Sequence, residues 1–205
     1  MRIGAARVVG LVGLVAYNWW VWVLLGTHLL ASPDVLFSDL EVAGRLDASL
    51  LSHLDVLAGV LVLGALLLCG RDGPLGGGRE WWLLVVFAVA GIVGGFFPYL
   101  CAEGAVAACR SAEWHFQLPW RHYAHIVAGI VEFGSVSIAV LLTWWRWRER
   151  RDLASRLVRV IGGVLLVAYP SICVSYLADR WGAVVEPLFF VAFTATILVQ
   201  LFADA

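Results

Sequence analysis

The stretch His122–Thr143, HYAHIVAGIVEFGSVSIAVLLT, decides the fold. It is long and apolar enough to cross a bilayer, whose hydrocarbon core takes roughly 20 such residues as a helix. Inside it His122, His125, Gly129, Glu132 and Ser135 follow at spacings of 3, 4, 3 and 3, so they share one helical face. A membrane helix with one polar stripe must turn that stripe toward protein or water. Five more segments carry comparable apolar runs: Val8–Leu30, Leu51–Gly70, Trp81–Leu100, Val158–Leu177 and Gly182–Phe202. The expected fold class is therefore all-α. It is a single domain over 1–205, a polytopic bundle of six transmembrane helices joined by short loops.

Composition agrees. The chain is 62% hydrophobic and 14% charged, with a mean hydropathy of +0.89. Soluble domains are about 45–50% apolar and about 25% charged. An ordinary soluble globule and a disordered chain are excluded. A formal charge of -1 leaves no basic excess for a phosphate backbone, so no nucleic acid is expected as a partner. Arg2 and Arg7 precede the first run as they would precede a signal peptide. That run is longer than a signal's apolar region, and no A-x-A site follows it, so it reads as a retained helix.

All the basic residues are arginine, and they are distributed unevenly. With the N-terminus inside, Arg2, Arg7, Arg71, Arg79, Arg146, Arg148, Arg150, Arg151, Arg156 and Arg159 are cytoplasmic. Arg45, Arg110, Arg121 and Arg180 lie outside. The positive-inside rule then places both termini in the cytoplasm. Trp81, Trp82, Trp144, Trp145 and Trp147 fall at inner helix ends, and Trp114, Trp120 and Trp181 at outer ones. Trp19, Trp20 and Trp22 lie mid-span, where they either pack in the bundle, touch lipid or line a cavity.

The loops carry no nucleotide motif. Gly70–Glu80 is rich in glycine but lacks the Gly-Lys-Ser/Thr of a P-loop. Trp144–Arg151 reads as a membrane-surface anchor. Gly91 and Gly95 form a G-x-x-x-G, the spacing that lets two helix backbones approach, here within the bundle. Cys101 and Cys109 share the outer segment Cys101–Arg121, where oxidation is permitted. A disulfide between them is expected, the alternative being two free thiols.

Polar residues inside the spans gather toward the outer leaflet. Besides His122, His125 and Glu132, they include Ser49, Ser52, His53 and Asp55 on the second span. Asn18 and His28 lie on the first, Ser171, Ser175 and Asp179 on the fifth, and Glu186 on the sixth. Ionisable groups at such depth are functional candidates by default. An outward-facing cavity lined by His28, Ser52, His53, Asp55, His122, His125, Glu132, Ser175 and Glu186 is expected. Glu132 lies too far down its helix for the two histidines to reach. Ser52, Ser175 or water would satisfy it, and the mouth would open between the second, fourth and sixth spans.

Phe37-Ser38-Asp39-Leu40-Glu41-Val42-Ala43-Gly44 and Leu54-Asp55-Val56-Leu57-Ala58-Gly59-Val60-Leu61 carry a family likeness. So do Gly94-Gly95-Phe96-Phe97-Pro98 and Pro119-Trp120-Arg121-His122-Tyr123-Ala124-His125. Over nearly its whole length the chain resembles the bacterial, actinobacterial-like six-helix membrane proteins labelled domain of unknown function 998. The resemblance implies the fold and a multi-pass place in a bacterial plasma membrane, and no reaction. A more remote likeness is to alkaline-ceramidase-like membrane hydrolases, which hold zinc with a Ser, an Asp and three His. Ser52, Asp55, His53, His122 and His125 supply those residue types. The hydrolases carry H-x-x-x-H on a late helix, whereas His122 and His125 form H-x-x-H on the fourth span.

Two functions follow from the stripe. One is a non-enzymatic cavity that binds or handles a lipid or small ligand at the outer leaflet, with membrane lipids, and other membrane proteins, as partners. The other is a metal-dependent hydrolase or transferase acting on a lipid headgroup. In it His122, His125, Glu132 and Asp55 are the catalytic candidates, and His122, His125, His53 and Asp55 the candidate ligands of a zinc ion. The absence of a complete catalytic motif favours the first. A haem held by two of these histidines is the weakest reading, because no pair sits deep in the bundle.

Overall fold

The computed structural model describes residues 2–19, 21, 37–43, 48–75, 77–103, 106–178 and 180–203. Among these the structure is all-α, with seven helices and no strand. They are α1 (Arg2–Tyr17), α2 (Ala48–Cys69), α3 (Arg79–Phe96), α4 (Ala107–Trp114), α5 (Trp120–Arg146), α6 (Leu153–Ala178) and α7 (Gly182–Phe202). A 3-10 turn, Phe37–Glu41, precedes α2.

Five helices, α2, α3, α5, α6 and α7, are long and apolar enough to cross a membrane. The expected first span, Val8–Leu30, lies partly outside the described residues, and α1 covers its first half. α5 and α6 are longer than their apolar runs. Hydropathy marks the thickness of hydrocarbon, whereas the backbone stays helical until a stop signal arrives. For α2 that signal is Gly70, whose φ of +69° suits the left-handed residue past a helix end, with its N–H on Leu66 O at 3.0 Å. α3 ends one residue before Phe97-Pro98, as expected of residues preceding proline. α6 starts where Asp152 Oδ1 accepts the Ser155 N–H at 2.7 Å.

Consecutive helices pack side by side, α1 on α2, α2 on α3, α3 on α5 and α6 on α7, while α5 and α6 touch more sparingly. Glycine sets the closest approach. A Cβ on Gly59 would stand 2.7 Å from Ala88 O, and one on Gly95 2.6 Å from Ser52 O, so α2 and α3 meet backbone to backbone at two points. Gly91 faces α5 instead, where a Cβ would lie 2.9 Å from Glu132 Oε1. The G-x-x-x-G thus serves two partners inside one bundle.

The core is aromatic. Tyr17 of α1 lies 5.4 Å from Phe87 of α3 and 5.2 Å from Phe193 of α7, ring centre to ring centre. Phe133 of α5 packs 5.0 Å from Phe189. Arg7 near the start of α1 donates to Leu201 O near the end of α7 at 3.0 Å, which puts both chain ends at one end of the bundle. The end of α2 lies there too, with Ala65 and Leu201 both against Gly10, and Arg146 at the end of α5 pairs with Glu80 at the start of α3 at 3.3 Å. The opposite end carries the α3–α5 connection. In it Cys101 and Cys109 stand at disulfide distance, Cα to Cα 5.7 Å, and α4 forms an unexpected short helix.

Candidate functional site

A cavity of about 370 Å³ lies toward the disulfide end of the bundle. Its walls come from α1, α2, α3, α5, α6 and α7, with Glu41 of the 3-10 turn and Tyr99 of the α3–α4 connection above. Gly91, Gly94 and Gly95 on α3 line it, and Gly129 on α5, where a Cβ would meet nothing within 4 Å, leaves space a side chain would otherwise fill. Most of the wall is aliphatic or aromatic, with Phe133, Phe190, Ile172 and Tyr169 among its members.

Four carboxyl side chains face this space: Glu41, Asp55, Glu132 and Glu186. Glu132 is only 7% exposed and takes the Tyr17 hydroxyl on Oε1 at 2.6 Å. Asp55 Oδ1 accepts the Trp19 indole N–H at 2.7 Å. Asp55 and Glu41 lie beside each other. Burial, and then the neighbouring Asp55 charge, hold the Glu41 carboxyl well above the usual carboxylate range. His125 lines the cavity as well. Its Nδ1 lies 3.0 Å from Gly94 O and 2.9 Å from Phe97 O. Both atoms are acceptors, so Nδ1 carries the proton, and Nε2 has no hydrogen-bond partner among the described residues.

A second cluster sits beside the cavity. His122 is fully buried. Its Nδ1 accepts the Leu100 N–H at 3.3 Å, so its Nε2 carries the proton donated to Glu113 Oε2 at 2.7 Å. Glu113, on α4, also accepts the Tyr99 hydroxyl at 3.3 Å and the Tyr176 hydroxyl on its other oxygen. Tyr99 and Tyr176 belong to the cavity wall as well. Burial and the Glu113 charge raise the Tyr99 phenol far above its ordinary value, keeping it a hydrogen-bond donor. Arg110 fastens α4 to the end of α6 through Leu177 O at 2.9 Å and to Glu103 at 3.2 Å. The cluster is a clamp in which one carboxylate joins α4, α5, α6 and the α3 exit.

The family profile described as "Protein of unknown function (DUF998)" matches residues 8–203, across all six walls of the cavity. The chain belongs to the DUF998 family. No curated protein matches the chain, and no solved structure does. This DUF998 member is thus a multi-pass helical membrane protein by its five apolar helices.

The expected site residues divide in two. Asp55, His125, Glu132 and Glu186 line the common cavity. His122 is turned away into the Glu113 clamp. His53 is exposed on α2 and bonds back to Ser49. Ser52 donates to Ala48 O at 3.0 Å and stands 3.5 Å from Oε2 of the cavity's Glu41. Ser175 is buried, and its Oγ has no hydrogen-bond partner among the described residues. His28 and Asp179 lie outside the described residues. Among the described residues no three His, Cys, Asp or Glu side chains converge closely enough to hold a metal ion. Glu132 is met by Tyr17, where a serine or water was expected.

Sequence reasoning missed Tyr17, Glu41, Tyr99, Glu113 and Tyr176. Tyrosines in apolar runs read as packing, and Glu113 reads as a loop residue until α4 is known. Glu41 was visible only as part of a family stretch. Of the three places open to Trp19, its bond to Asp55 and its position select the cavity wall.

Proposed function

We propose that the chain is a non-enzymatic membrane receptor or carrier whose cavity takes up a lipid or small amphiphile at the outer leaflet of a bacterial plasma membrane. The observation that carries this reading is the cavity: about 370 Å³, mostly apolar, with a few converging polar groups. That is the size and lining of a small-ligand site. Arginine asymmetry puts the chain ends in the cytoplasm, and the cavity lies toward the opposite end.

The cavity rim supports access from lipid. Ile130 of α5 and Leu177 of α6 both line the cavity and are 59% and 61% exposed. Cys173 beside them is exposed too. The opening therefore lies between α5 and α6, the sparingly packed neighbours, and not between the second, fourth and sixth spans. A metal-dependent hydrolase draws less support, since His122 and His53 have other engagements.

Gly129 provides the test. It lines the cavity, and a Cβ there meets nothing within 4 Å. Gly129→Phe should preserve the fold and fill the space. A photoreactive fatty alcohol should crosslink to α5 and α6 in the unmodified protein, and lose most of that yield in the variant. Undiminished crosslinking in a folded variant would refute the cavity as the ligand site.

A further inference from the structure

Resting on that reading, we propose that the occupant is a single-chain amphiphile with an ammonium head group, which reaches the four carboxyls between α5 and α6. The charge of the wall points to a cation. Among the described residues the cavity is faced by Glu41, Asp55, Glu132 and Glu186 and by no arginine, and the chain has no lysine. For Glu41, Asp55 and Glu132 the described partners account for only part of the carboxyl's capacity. Glu41 lies beside Asp55 with Ser52 Oγ 3.5 Å from its Oε2, and Asp55 takes Trp19. Glu132 takes Tyr17 on Oε1, and its Oε2 has no partner among the described residues, although the side chain is nine-tenths buried and faces the cavity. A carboxyl oxygen left without a donor in a mostly apolar cavity is costly. An ammonium brings three donors and a positive charge to that point.

The remaining wall suits the rest of such a molecule. Tyr17, Trp19, Phe133 and Phe190 surround the carboxyls with aromatic rings, which attract ammonium groups through their faces. Ile130, Ile172 and Leu177 lead from there to the exposed rim, a path for an alkyl chain. A phosphate is disfavoured. It would stand beside four acidic groups with no described guanidinium to neutralise it, so a phospholipid head group does not fit this chemistry.

The protein supplies its own reporter. Cys173 lines the rim with a free, exposed thiol, and Cys69 is the other free cysteine. A Cys69→Ala chain in phosphatidylcholine nanodiscs then has one thiol for a neutral, membrane-permeant maleimide. Labelling of Cys173 would be timed with decylammonium, decanol or decanoate at matched membrane concentration. Decylammonium should protect at about 10- to 100-fold lower concentration than either control, the ratio expected of a charge-assisted hydrogen bond. Glu132→Gln should remove that preference. Equal protection by all three compounds would overturn the ammonium assignment and leave the cavity reading standing. Protection by none, with fatty-alcohol crosslinking also insensitive to Gly129→Phe, would overturn both. Added phosphatidylethanolamine protecting as well as decylammonium would overturn the single-chain, phosphate-free assignment. The head-group comparison is made on the intact cavity, so it stands even if Glu132→Gln fails to fold.

Discussion

At the scale of single residues, burial decides what each carboxyl can do. Glu41 sits in the 3-10 turn, shielded from water and beside the Asp55 carboxyl. Its folded-state pKa is raised, so the folded protein holds the Glu41 proton more tightly than the unfolded chain does. The sign follows from linkage: stability falls as pH rises past the unfolded value of about 4.3, and continues to fall until the folded value is passed. Glu41→Gln should flatten this part of the stability profile. Thermal unfolding of both proteins in detergent between pH 4 and 8 would show it, and parallel curves would contradict it. Glu113, equally buried, accepts from His122, Tyr99 and Tyr176 together. Two acidic side chains at the same end of one bundle thus have different surroundings: Glu41 lies beside another acid, and Glu113 among three donors.

At the scale of elements, α4 shows how a short helix is held where its own propensity would not suffice. Helices this short are marginal in water. The Cys101–Cys109 pair closes the loop before it, Arg110 grips the end of α6, and Glu113 inserts into the clamp. Replacing both cysteines by serine should cost roughly 2–3 kcal/mol of stability in the chain-entropy description of a loop this small. The loss should be accompanied by faster amide exchange in α4 than in α5. A melting temperature and α4 exchange unchanged by the double substitution, in protein prepared without reductant, would show that the pair adds nothing. The two ends of the bundle are built differently in this respect. At the arginine end, Asp152 caps α6 through a backbone N–H, and that bond, with Arg150 beside it, lowers its carboxyl below the usual range. The contribution of this exposed cap is present above about pH 4 and fades as the solution is acidified.

At the scale of the whole molecule, both chain ends and the α2–α3 turn meet at one end, and the cavity and cysteine pair lie toward the other. With ten of the fourteen arginines assigned to the chain-end side, the expected orientation keeps that side in the cytoplasm. A cytoplasmic reporter fused after Ala205 should be active, and the same reporter placed within Cys101–Arg121 silent; the reverse pattern would turn the cavity to the inner leaflet. The sequence by itself determined the helical membrane class, the approximate spans from α2 onward and the pairing of Cys101 with Cys109. These depend on local quantities: apolar length against bilayer thickness, and two thiols eight residues apart. It also placed Asp55, His125, Glu132 and Glu186 in the same half of the bilayer, because residue count along a helix fixes height. Tertiary structure alone decided which polar groups share a space. The rotation of each helix about its axis is set by contacts such as Gly59 on Ala88 and Gly95 on Ser52, and no single segment encodes those contacts. That rotation sends His53 outward, turns His122 to Glu113, and brings Tyr17 from the first helix onto Glu132 of the fifth.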